Sequence, residues 1–478
     1  MSEAMGPDRT GDQRRSLMVR AGDFIASLVV AFIFFGGFVS HGYADDGWVR
    51  LIGWLGCGLL GCWSAIGFAI GRWSGPRMAP ARLFLLLLVT TTLLGLIQIM
   101  PLPTETVLRF SPTWRGIIDS YKSSNIPVPD HLTFAIAPEK AWFSLQHLIA
   151  ATLFFSGVAL LGTHRSTTIA LLVIVPCVSV LEGFFGLFNF LIAEAYRASG
   201  SVYNANHYAV IVIAGLPLYF AGLAEWKRHS ETMSEDVLAG RNPLLIFIGL
   251  GVIAALGWIT AQSRSSVIVT VIVLGIWGMM EIAHFMQRDR EETTRSVTSV
   301  LIGSIMTLLL LFVGSLFFQG VLDRLFSGDA MSGNSRLKIW QASLHGLRES
   351  NYLGVGIGGS EYSINRFANY PLTTEPIWSH NDILQWLCDL GAPAAFILAI
   401  VLVFFGHSVM RSLRSRAGRT SWNQRLLQRA AMAGVAIAVL HAFLDFHLRI
   451  PQIGFMVLTL VALTLQPGIF KVSQKADS

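Results

Sequence analysis

The chain has 478 residues, 53% of them hydrophobic and only 13% charged, with a mean hydropathy of +0.57. A soluble protein carries about 25% charged residues, so these values exclude a disordered chain, argue against a large soluble enzyme and point to a polytopic membrane protein. The formal charge of +6 falls in a pattern that suits lipid topology, and no nucleic-acid partner is expected.

A helix that spans the bilayer needs about 20 mostly apolar residues. Twelve stretches qualify in chain order: 22–40, 48–70, 83–100, 141–162, 168–193, 206–224, 243–261, 265–283, 297–318, 383–406, 430–446 and 450–467. The first follows Arg9, Arg14, Arg15 and Arg20 and has no small-residue cleavage site, so it reads as a retained helix behind a basic cytoplasmic N-terminus, 1–21. Cys57, Cys62, Cys177 and Cys388 all lie in apolar runs, which argues against a disulfide framework or a zinc site. With the N-terminus inside, the inner segments hold 22 of the 35 Lys and Arg, which places both termini, including the tail 468–478, on the cytoplasmic side.

Two long outer loops remain. Loop 101–140 is rich in Pro and Ser and reads as irregular with a short helix. Loop 319–382, between spans nine and ten, contains an amphipathic helix over 335–349, capped by Asn334 or Ser335, with Leu337, Trp340, Leu344 and Leu347 on one face. The glycines of 351–359 then end it. A loop of this length with ordered elements reads as functional.

Arg264, in Gln262-Ser-Arg-Ser-Ser266, sits between two spans; it either snorkels to the interface or holds an anion with help from serine hydroxyls and the next helix N-terminus. Arg336 and Lys338 open the amphipathic helix, where the macrodipole disfavours cations unless an anion is bound; a solvated surface arginine is the other reading. His380 stands where the loop re-enters the membrane. It is a candidate general base, with Asp382 to orient it or act as base itself, or else an interfacial histidine bonded to backbone. His441 and Asp445 share a helix face near His447, which suggests a buried polar network ahead of a metal site. Asn204, Asn206 and His207 either bond a sugar or cap their helix. The glycines of 354–359 lack a preceding strand and do not read as a nucleotide loop.

Six segments run in the order found in the O-antigen ligase and polymerase family of bacterial membrane glycosyltransferases, which residues 200–460 resemble. They are Tyr203-Asn-Ala-Asn-His-Tyr-Ala209, Ser263-Arg-Ser265, Ser335-Arg-Leu-Lys-Ile-Trp340, Leu353-Gly-Val-Gly-Ile-Gly358, Ser379-His-Asn-Asp382 with Leu384-Gln385 and Leu390-Gly391, and His441 through Pro451. Asn351-Tyr352 stands where many members have a proline. The resemblance implies an all-α, GT-C-like membrane protein of about 12 spans, with transmembrane helices over 22–200 and a catalytic region over 201–467. It implies a glycan donor on undecaprenyl pyrophosphate, transfer to an acceptor hydroxyl of lipid A core or another surface glycan, and an active site at the periplasmic face of the inner membrane. Arg264 and Arg336 would hold the pyrophosphate and His380 would be catalytic, with Asp382, Asn206, His207, His441 and Asp445 in support and no metal or other cofactor. A polymerase of O-antigen or exopolysaccharide repeat units is the nearest alternative. A twelve-span transporter is the alternative of another class, although no internal repeat is visible.

Overall fold

Apolar chain inside a bilayer can satisfy its backbone only as helix or closed barrel, and among the described residues the apolar spans are helices. The computed structural model describes residues 9–40, 47–75, 78–192, 197–230, 243–286, 330–367, 378–414 and 422–465. In chain order the helices are α1 (Arg9–Val39), α2 (Gly47–Ala69), α3 (Ala79–Ile99), α4 (Thr104–Phe110), α5 (Pro112–Ser123), α6 (Pro138–Leu161), α7 (Arg165–Ile192), α8 (Ala205–Ser230), α9 (Pro243–Thr260) and α10 (Arg264–Met286). There follow α11 (Ala330–Glu349), α12 (Ser360–Phe367), α13 (Asp382–Leu390), α14 (Ala392–Arg414), α15 (Trp422–Ala442), a 3-10 turn (His447–Arg449) and α16 (Pro451–Leu465).

Among the described residues seven helices are long and apolar enough to cross a membrane, and four shorter apolar stretches join them. The protein is an all-α polytopic membrane protein. Ten of the twelve expected spans coincide with single helices. The ninth, 297–318, lies outside the described residues. The tenth, 383–406, is broken into α13 and α14 at Gly391, whose φ is +68°. A Cβ there would meet the Leu353 carbonyl carbon at 2.3 Å, so only glycine permits both the turn and the contact.

A helix that is apolar all round belongs inside. In α8, Tyr208 through Ala214 are all buried, and in α16 every residue but Gly454 is. Helices α1 and α2 instead turn Phe24, Phe35, Leu55 and Phe68 outward, as lipid contact requires. Buried ion pairs tie spans together: Arg72 Nη1 lies 2.8 Å from Asp23 Oδ1, and Arg429 Nη2 2.8 Å from Glu281 Oε2.

The segment 101–140 is more ordered than its composition suggests. Two short helices, α4 and α5, pack with Leu132 around Val107, Trp114 and Ile118, and Leu102 and Pro103 (β1) pair antiparallel with Leu132 and His131 (β2). In the second long loop the helix begins at Ala330, five residues before its expected start. Asn334 and Ser335 therefore lie within α11 and do not cap it, and Arg336, in its second turn, is not a cation at a helix N-terminus. The buried face also differs. It is Ile339, Ala342, Ser343, Gly346 and Leu347, while Leu337 and Leu344 are exposed. Small residues face inward because α12 approaches closely: a Cβ at Gly346 would meet Ser363 Cβ at 2.4 Å. Asn351 and Tyr352 then close the helix with φ of +52° and +60°, a conformation that proline cannot adopt.

Candidate active site

One carboxylate gathers the polar residues at the end of the bundle where α8 and α10 begin and α15 ends. Asp445 lies in the short link between α15 and the 3-10 turn, fully buried. Its Oδ1 accepts from the Phe446 amide at 3.0 Å, with His380 Nδ1 at 3.4 Å and His207 Nε2 at 3.5 Å. Its Oδ2 accepts from Asn206 Nδ2 at 2.9 Å, with Arg336 Nη2 at 3.7 Å. Arg336 Nη1 also donates to the Leu444 carbonyl at 2.9 Å. Segments up to 239 residues apart thus meet on two oxygen atoms. Burial pushes the Asp445 carboxyl up, but the His207 and His380 imidazoles beside it and the Arg336 guanidinium outweigh it. The group is held below the usual carboxylate range.

Each partner is placed by its own segment. Asn204 Oδ1 accepts from the Asn206 amide at 2.8 Å and so caps α8; Asn206 and His207, in its first turn, are free of that duty and turn to Asp445. The turn before them is held by Glu182, which accepts from the Ser201 amide at 2.9 Å and from Gln452 Nε2 at 3.0 Å. His380 is fixed from both sides. Ser379 N donates to Gln385 Oε1 at 2.8 Å, Trp340 Nε1 donates to the Ser379 carbonyl at 2.9 Å, and Asn381 caps α13 through the Leu384 amide at 2.9 Å. His380 itself has φ +50°, as does Gln262 (+49°) just before Arg264. Left-handed non-glycine residues cost on the order of 1–3 kcal/mol and gather where position matters more than comfort.

Asp382 does not orient His380, as the sequence suggested. It is buried, its Oδ2 accepts from the Leu448 amide at 2.9 Å, and its Oδ1 faces Arg449 Nε at 3.8 Å. Asp445, 65 residues beyond His380, takes that place. Burial pushes the Asp382 carboxyl up from 3.8 to about 7, against the pull of Arg449 and the Leu448 amide. Its pKa is therefore raised on folding, so its contribution to stability is full below about pH 4 and is lost as pH rises through about 7. Asp382→Asn is expected to flatten the fall in thermal stability between pH 5 and pH 8, measured on the full chain in nanodiscs. An unchanged slope would assign that dependence elsewhere.

The serines around Arg264 do not all offer donors to an anion. Ser266 Oγ donates to the Ser263 carbonyl at 2.9 Å, and Ser265 Oγ lies 2.9 Å from His441 Nε2. Arg264 opens α10, half-buried, and it is the next residue, Ser265, that reaches His441 of α15. His441, Asp445 and His447 do not converge as a ligand set. The two Nδ1 atoms face each other at 3.3 Å while the carboxylate points to His207, His380 and Asn206.

Two arginines escaped the sequence reading. Arg197 donates to the Ala261 carbonyl at 2.8 Å and to Asn206 Oδ1 at 2.9 Å, joining α8 to the turn before Arg264. Arg449 donates to Asp389 Oδ2 at 2.8 Å and lies 5.3 Å from the Trp378 ring centre. Each flanks an apolar run, the same signal that drew attention to Arg264.

A half-open basic and imidazole surface backed by a closed carboxylate can accept a proton and hold an anion. Asp445 is shut from solvent, while Arg336 and His380 each keep 32% of their side-chain surface open. The fold and this cluster define a multi-pass membrane protein with an enzyme-like site at one end of its helices. Residues 249–399 match the family model described as O-antigen ligase. The match supports the O-antigen ligase and polymerase family, and with it a membrane glycosyltransferase-like enzyme acting on glycan and lipid substrates. It covers Arg264, Arg336 and His380 and stops before Asp445. Among curated proteins none matches the chain.

Proposed function

We propose that this chain transfers a glycan from undecaprenyl pyrophosphate to an acceptor hydroxyl at the periplasmic face of the inner membrane, in the manner of an O-antigen ligase, with residues 201–467 as its catalytic region. The observation that carries this reading is the meeting of His380 and Arg336 on Asp445, both inside the matched segment. With its Nδ1 hydrogen directed at Asp445, His380 keeps an Nε2 lone pair for the acceptor hydroxyl. That hydroxyl loses its proton to His380 as its oxygen attacks the anomeric carbon. The bond from that carbon to the diphosphate oxygen breaks, and the electron pair leaves with the diphosphate. Arg336 and Arg264 meet the charge that gathers there. The asymmetry of Lys and Arg supports an outward orientation for this end of the bundle.

The test supplies a labelled lipid-linked repeat unit to the protein in membranes, with candidate acceptors, and follows the label. Label on lipid A core or another terminal glycan supports the ligase reading; label on a second lipid-linked repeat gives a polymerase; no transfer to any acceptor removes both. The same assay in a chelator is expected to keep its rate, and loss restored by a divalent ion would reverse the metal-independent mechanism. Arg264→Lys is expected to lower transfer on the order of tenfold to a hundredfold, because a lysine cannot form the planar fork. A silent substitution would return Arg264 to a snorkelling role.

A further inference from the structure

Beside the carboxylate cluster a second chain of hydrogen bonds runs from α10 to the 3-10 turn, and its direction can be assigned from the atoms it joins. The Ala438 carbonyl has no hydrogen, so His447 Nε2, 3.0 Å away, is the donor. A neutral imidazole carries one N–H, which leaves a lone pair on His447 Nδ1. His441 Nδ1, at 3.3 Å, must then donate to it. His441 Nε2 is thereby an acceptor, and at 2.9 Å it takes the hydroxyl hydrogen of Ser265. Both rings are fully buried, and among the described residues neither is paired with a carboxylate. Burial pushes the His447 imidazole well below its ordinary value, which keeps the chain in this sense.

Ser265 Oγ therefore has no hydrogen left to give. Ser263 Oγ, which accepts from the Ser266 amide at 3.4 Å, lies 3.3 Å away and occupies at most one Ser265 lone pair. The other lone pair belongs to a half-buried side chain next to Arg264. A phosphate oxygen there would meet a lone pair; a hydroxyl group would find an acceptor. We propose that Ser265 reads a sugar hydroxyl of the substrate, as a specificity residue that separates a neutral sugar subsite from the arginine-held anion. This rests on the glycan-transfer reading above and adds the class of group that Ser265 touches.

Two measurements test it on the full chain in nanodiscs. Nitrogen NMR of histidine-labelled protein is expected to show hydrogen on Nδ1 of His441 and on Nε2 of His447; hydrogen on His441 Nε2 overturns the relay. In the transfer assay Ser265→Ala is expected to lower kcat/KM on the order of tenfold and Ser265→Thr to restore much of it, with inhibition by inorganic pyrophosphate unchanged within about twofold. Unchanged kcat/KM, or a weakened pyrophosphate inhibition, overturns the assignment to sugar. Absence of transfer by the parent chain defeats the transferase reading, and the histidine spectrum still sustains or overturns the relay.

Discussion

Replacing His380 by alanine is expected to lower glycan transfer by roughly 10²- to 10⁴-fold while the amount of folded protein in the membrane stays the same. The size follows from the chemistry: a sugar hydroxyl is a poor nucleophile, and a positioned imidazole that removes its proton is the group lost. The unchanged abundance follows from the structure. His380 is open over 32% of its side chain, and the left-handed backbone at this position is already strained for histidine, so alanine adds little. His380→Asn sharpens the test. Asparagine tolerates the left-handed region and can still donate to Asp445, yet it takes no proton. Initial rates at matched protein level should be as low for His380→Asn as for the alanine variant. Full activity in either would remove the base role, and recovery in asparagine alone would make His380 a conformational residue.

The spans were legible because a bilayer leaves the backbone so few solutions that an apolar run of the right length is nearly a helix by necessity. The break at Gly391 was not, because composition is continuous across it. What decides the break is a positive φ and the approach of the Leu353 backbone from 38 residues away, and the only local signal was Gly391-Ala-Pro393. The face of α11 was misjudged for a related reason. Counting large apolar residues selected Leu337 and Leu344, whereas the packed face needs small ones so that α12 can come close.

The cluster was legible in its parts and hidden in its wiring. His380, Asn206, His207 and Asp445 stood out as polar groups at the ends of apolar runs, and Arg336 as a cation in the amphipathic helix of the long loop. Which acid serves His380 is a matter of tertiary contact. Asp382 was the nearer in sequence, but its helix turns its carboxylate to the 3-10 turn, where Leu448 and Arg449 engage it. Asp445 reaches His380 because the link after α15 carries it under the loop that Trp340 and Gln385 hold in place. Proximity along the chain predicts partners on one helix and says little across a loop.

Asp445→Asn is expected to be at least as damaging to transfer as loss of His380, and to destabilise the protein as well. The amide keeps the shape of the carboxylate but replaces one acceptor by a donor. Whichever way it turns, its NH₂ faces donors: the Phe446 amide and two imidazoles on one side, Asn206 Nδ2 and Arg336 on the other. Arg336 loses its counter-charge and His380 the acceptor that orients its ring. A buried group left facing unmatched donors costs about 1–3 kcal/mol, and the open surface of Arg336 and His380 keeps the figure out of the range for fully buried ion pairs. The pH dependence has a definite sign. Because the Asp445 carboxyl is held below the usual range, its stabilisation is full above the ordinary carboxylate pKa and is lost as pH falls through its lowered value. The gap in thermal stability between parent and Asp445→Asn should therefore be constant from about pH 8 to pH 5 and narrow only below about pH 4. Thermal unfolding of both proteins in nanodiscs across that range, with transfer rates at neutral pH, checks the two effects together. Equal stability with full transfer would show that the carboxylate organises nothing, and the base and the anion site would each have to stand without it.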